Sequence, residues 1–121
     1  MRWIVAALTL MAASPVVADE SAAQARLDGL TDAQLVSVAT DWLKNEGTDC
    51  VARMSREIDD RMQQDVMDTV FDMVDVPAAD RAELFDDLNN RIEDLLDDAV
   101  QRGDLTISQD ADGVQVTVKD C

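Results

Sequence analysis

The sequence predicts a mainly helical α+β fold: a three-helix body over residues of about 31–46, 49–74 and 78–102, then a C-terminal antiparallel β-hairpin of about 104–109 and 114–119. Apolar residues recur three and four apart from Leu35 to Ala99, the period of a helix with one buried face. After Gly103 the period drops to two, and Asp110, Ala111, Asp112 and Gly113 separate two alternating runs as a turn does.

Thr31 opens the first helix, because Thr31 and Gln34 stand at capping-box spacing ahead of Leu35, Val38, Ala39, Trp42 and Leu43 on one face. Trp42 falls on the inner side and reads as core, and Gly47 ends the helix. Thr48 or Asp49 caps the second helix, whose stripe steps through Val51, Met54, Ile58, Met62, Val66, Val70 and Met73. Met67, Phe71 and Val74 add a second apolar flank, so the C-terminal half of this helix is the more deeply enclosed. Val76 and Pro77 break it, and Pro77 suits the first turn of a third helix carrying Phe85, Leu88, Ile92, Leu95 and Ala99, which Leu84 and Leu96 widen. A short turn makes these two helices antiparallel neighbours. In the hairpin, pairing parity puts Leu105, Ile107, Gln109, Val114, Val116 and Val118 on one face toward the helices, with Thr106, Ser108, Gln115, Thr117 and Lys119 toward water.

The chain begins with Met1 and Arg2, an apolar run from Trp3 to Ala13 and small residues ending at Ala18, the three parts of a cleavable secretory signal. The run is shorter than the about 20 residues a membrane span needs, so no stable membrane anchor is expected after cleavage. The expected organisation is a signal peptide over 1–18, a loosely held segment over 19–30 with a weak helical turn near 22–27, and one acidic domain over 31–121. Export places the protein in a periplasm or outside the cell, where Cys50 and Cys121 are expected to form a disulfide. Such a bridge closes a loop of about 70 residues and contributes roughly 4 kcal/mol by the chain-entropy argument. Cys121 has the opposite strand parity from Val116 and Val118, so the chain must leave the strand after Val118 to reach Cys50. The rivals are free thiols or a bridge between chains.

The 26 acidic and 10 basic residues give a net charge of −16, which becomes −17 once Arg2 leaves with the signal. A surface this negative repels nucleic acid and anionic lipid and favours cationic partners. The element order matches that of winged-helix domains, but this charge and the export signal argue against a nucleic-acid role. With no His and no Tyr, the usual general base near neutral pH and imidazole metal ligation are unavailable. The carboxylate pairs Asp59/Asp60, Asp86/Asp87, Glu93/Asp94 and Asp97/Asp98 fall on polar helix faces, and helical pairs such as Asp87 with Arg91 or Glu57 with Arg61 account for some of them. No catalytic residue, cofactor or metal set is therefore assigned. Ser108, Asp110, Asp112 and Gly113 match the start of an EF-hand loop, but Lys119 occupies the position of its bidentate Glu, leaving at most weak Ca²⁺ binding.

The remaining functional feature is the Met-bearing second helix, with Met54, Met62, Met67 and Met73. Methionine suits a deformable binding surface, although it also fills ordinary cores. The candidate partner surface is Met62, Met67, Phe71, Val74 and Val76. The expectation is a small exported, non-enzymatic interaction or accessory protein that binds a protein partner or itself through this surface. The alternatives are an acidic divalent-cation-binding protein and a periplasmic chaperone unmasked by acid.

Overall fold

The computed structural model describes residues 22–111 and 113–119; the expected signal segment 1–18, its cut site, Asp112 and Cys121 lie outside the described residues. The order is α1 (residues 22–28), α2 (Asp32–Glu46), β1 (Val51–Met54), α3 (Arg56–Met73), α4 (Ala78–Arg102), β2 (Leu105–Asp110) and β3 (Gly113–Val118). The fold is α+β and mainly helical, with the C-terminal hairpin in place. It differs from the sequence expectation in one added helix and one added strand.

The added strand is β1. Residues 51–54 carry the helical spacing Val51, Met54, Ile58, yet they are extended and pair antiparallel with β3, Ala52 opposite Val116 and Met54 opposite Val114. Strand order is β1-β3-β2, so the last of the described strands is the central one. The turn that creates β1 is tight: the Thr48 and Val51 backbones exchange both hydrogen bonds, at 3.0 and 3.1 Å, around Asp49 and Cys50. Both central residues have positive φ, 53° and 68°, the left-handed pattern of a type I′ turn. Gly47 makes the approach possible. A Cβ there would press on the Val51 carbonyl and stand 2.9 Å from the Ala52 nitrogen, closer than real Cβ contacts come. Ser55 then caps α3 by accepting from the Ile58 N–H at 3.2 Å, six or seven residues later than the expected cap at Thr48 or Asp49.

The added helix is α1. Within the stretch expected to be loosely held, residues 22–28 are helical, and Ala23, Leu27 and Leu30 are buried in the same core as α2, α3 and α4. Arg26 donates from α1 to the carbonyls of Val74 (2.6 Å) and Asp75 (3.2 Å), which fixes α1 at the α3–α4 turn. That turn is a Schellman motif with Asp75 in the left-handed position: Val76 N–H donates to the Phe71 carbonyl and Asp75 N–H to that of Asp72, while Val76 and Phe71 are both buried. Gly103, at φ 83°, closes α4 in the same way. The expected capping box at Thr31 and Gln34 is present.

The core centres on Leu35, Ala39 and Leu43 of α2, with Val66, Met67, Val70 and Phe71 from α3 and Leu84, Leu88, Ile92 and Ala99 from α4. The expected helical ion pairs are replaced by longer-range ones. Arg91 donates to the Leu27 carbonyl (3.2 Å), the Leu30 carbonyl (2.7 Å) and the Asp32 carboxylate (2.9 Å), and Arg61 pairs with Glu46. At the α1–α2 junction two carbonyls and a carboxylate converge on one forked guanidinium, which a single exposed carboxylate one turn away cannot match.

Two glycine substitutions separate the two backbone constraints. Gly47→Ala is expected to cost about 1–3 kcal/mol through steric overpacking, and Gly103→Ala about 1–2 kcal/mol through left-handed backbone strain. Urea midpoints measure both, and a neutral Gly47→Ala would mean that the Thr48–Val51 turn is looser than described. Arg91→Lys keeps the charge and loses the fork, with an expected loss of about 1.5–3 kcal/mol in the same assay.

Candidate functional site

The sheet offers one apolar face to the helices, formed by Ala52 and Met54 of β1, Val114, Val116 and Val118 of β3, and Leu105 and Ile107 of β2. The helices cover only part of it. Leu105, Val118, Val116 and Ala52 are buried, whereas Met54 and Val114 are half-buried and Ile107 is 55% exposed. The hairpin therefore overhangs the helical body, and a trough of about 470 Å³ lies beneath the overhang. Ile107, Val114 and Met54 form its roof, and Met62 of α3 with Leu96 and Val100 of α4 form its base. Met62, Leu96 and Asp59 also line a smaller hollow of about 100 Å³ that continues between α3 and α4 toward Asn89.

Carboxylates stand on both banks: Asp59 on α3, and Glu93 and Asp97 one turn apart on α4. None of the three forms an ion pair with a described residue, and Arg56 is the single cation among the described lining residues. Asn89 donates to Glu93 (3.2 Å) and accepts from Gln63 (2.9 Å), which ties the far end of the trough across α3 and α4.

The five residues proposed from sequence as a partner surface are placed differently. Met62, Met67, Phe71 and Val76 are buried and Val74 is half-buried. At the C-terminal end of α3 the reason is α1, whose Arg26 bonds the Val74 and Asp75 carbonyls and whose Ala23 and Leu27 share the core with Met67, Phe71 and Val76. Only Met62 and Met67 reach the lining of the hollows, so the open apolar surface is centred instead on the hairpin. Ile107 is the residue that sequence reasoning missed, because strand parity assigns it to the covered face and says nothing about how far the helices extend beneath it.

Trp42 is half-buried rather than fully enclosed; its Nε1–H donates to Asp65 at 2.9 Å, and the Arg61 guanidinium lies 5.8 Å from the ring centroid. The four carboxylate pairs are exposed on α3 and α4. Among the described residues no three acidic or thiol side chains converge to hold a metal ion. Ser108 and Asp110 belong to β2, where Asp110 accepts from Gln115 at 3.1 Å and lies 4.0 Å from Arg53, while Asp112 is outside the described residues. Cys50 is not a free thiol, and its carbonyl accepts the Val118 N–H at 2.8 Å, at the point where β3 ends. Its expected partner, Cys121, lies outside the described residues.

The division between open and closed apolar residues has a direct readout. Ile107→Ser is expected to change stability by no more than about 0.5 kcal/mol, as exposed substitutions do. Met67→Ala, at 1% exposure, should lose about 2–5 kcal/mol. Chemical denaturation of both variants checks this, and an equal loss at the two positions would place Ile107 in the core. Comparison of the chain with protein-family models, with curated proteins and with solved structures finds no match.

Proposed function

We propose that this is a small exported, non-enzymatic binding protein, and that the trough beneath the hairpin is where a partner seats an apolar segment. The observation that carries this reading is the overhang: an apolar sheet face left half uncovered, with a large apolar side chain at its free edge. Exposed apolar surface next to a well-packed core costs solubility and commonly marks an interaction site. Most carboxylates of the described residues lie on solvated helix faces, which suits a surface that excludes anionic partners better than one that does chemistry.

Export and the disulfide belong to the same proposal. The leader-like start supplies the oxidising setting. The hydrogen bond from Val118 to Cys50 brings the end of β3 beside Cys50, three residues before Cys121. A bridge there would tie the central strand to the turn that launches β1. Its removal by Cys50→Ala should cost roughly 4 kcal/mol, read as a lower melting temperature that reducing agent reproduces in the native protein. An unchanged melting temperature under reduction would eliminate the bridge.

The binding role is tested in living cells with a photo-crosslinking amino acid at position 107 and, as control, at exposed Gln101. The expected result is a discrete adduct from position 107 alone, in the exported fraction, on a chain whose N-terminus is Asp19. Equal labelling from both positions, or from neither, would overturn the reading.

A further inference from the structure

We infer that the occupant of the trough is a cationic amphipathic segment of another polypeptide, with apolar residues for the overhang and Lys or Arg about one helical turn apart for Glu93 and Asp97. This rests on the trough being the binding surface, and it adds the chemistry of what binds. Three observations fix that chemistry.

The first is shape. Along α4 the lining runs from Asn89 to Val100, which at 1.5 Å per residue is about 16 Å, the length of three helical turns or about five residues of strand. A trough this long and open at its side suits a polymer segment. The second is charge. Asp59 faces the trough from one bank and Glu93 and Asp97 from the other, and no described cation pairs with any of them. Glu93 and Asp97 are four apart on one helix, about 6 Å along its axis, so matching cations repeat at the same interval. An apolar floor between acidic banks is the complement of a basic amphipathic segment.

The third observation separates this partner from a second copy. Two copies would bring acidic bank against acidic bank, each on a chain of net charge −16. The exposed large apolar residues among those described are Met73 and Ile107 alone, well short of the about 800 Å² per partner of a standard interface. A cationic segment gains from the field that a second copy would have to overcome.

The test is calorimetric titration of the purified protein with two synthetic peptides of about 14 residues, long enough for three to four turns. One is built from Leu and Lys on opposite faces, and the other has Glu in place of each Lys. The Leu/Lys peptide is expected to bind at a single site, with affinity falling about tenfold or more in Ile107→Asp and in the Glu93→Gln/Asp97→Asn pair. Binding should also weaken as salt rises from about 0.05 to about 0.5 M. The Leu/Glu peptide should not bind. Affinity for the Leu/Lys peptide that neither variant changes would overturn the inference, because the peptide would then be coating the acidic surface at large. Equal binding of the two peptides, lost in Ile107→Asp, would overturn the cationic class and leave the trough as a binding surface. Failure of both peptides would sink the trough itself. Light scattering that finds a dimer abolished by Ile107→Asp would assign the trough to a second copy and overturn the inference.

Discussion

The sheet of this fold, and the trough beneath it, depend on a four-residue reversal. Between Thr48 and Val51 the chain turns back on itself through two non-glycine residues with positive φ. Each such residue costs on the order of 1–3 kcal/mol and persists only where its surroundings hold it. Here they do. Gly47 leaves room for the Val51 carbonyl, the Thr48 and Val51 backbones satisfy one another, and the Cys50 carbonyl takes the Val118 N–H. Without the reversal α2 would run toward α3 with no strand between them, and β3 would have one neighbour. An isolated hairpin is marginal in water, whereas a third strand and a helical floor make the sheet self-sufficient. The overhang, and hence the trough, follows from where that sheet is anchored.

A second constraint is the shortage of cations. With 10 basic residues against 26 acidic ones, the chain places several arginines on backbone carbonyls as well as on carboxylates. Arg26 and Arg91 bind carbonyls at the ends of α3 and α1, and Arg81 donates to the Val76 carbonyl at 3.0 Å while pairing with Asp72 and lying 5.4 Å from the Phe71 ring centroid. Helix ends carry unsatisfied carbonyls and a partial negative charge, so a guanidinium there offsets both. The consequence is electrostatic: with cations committed to the joints between helices, Asp59, Glu93 and Asp97 along the trough have no ion-pair partner among the described residues. Internal cohesion and an acidic surface come from the same allocation.

The parts of the fold that could be read from sequence are those with a single local cause. The Thr31 capping box, the break at Val76 and Pro77, the Gly103 cap and the hairpin around Asp110 and Gly113 each announce themselves within a few residues, and each is where it was expected. The parts that misled have two causes in competition. Val51 and Met54 satisfy a helical period with Ile58 and also a strand period with each other's neighbours; pairing to residues sixty or more positions away decides between them. Residues 22–28 are a weak helix taken alone, and burial of Ala23 and Leu27 on the core decides their state. Once α1 covers the end of α3, the Met-rich flank becomes interior, and the open apolar surface moves to Ile107. Its exposure depends on the relative lengths of a sheet and the helices under it, which no local pattern encodes.

The strand order has a temporal meaning as well. Because β3 is central in the sheet and follows the other two described strands, β1 emerges from the ribosome long before its partner exists, and the residues that separate them must all be made first. During that interval Val51–Met54 is an unmatched strand beside helices that can already pack through local contacts. Completion of the sheet thus waits until residues 113–118 have been made, and a chain stopped before Gly113 would hold the described helices with no centre to its sheet.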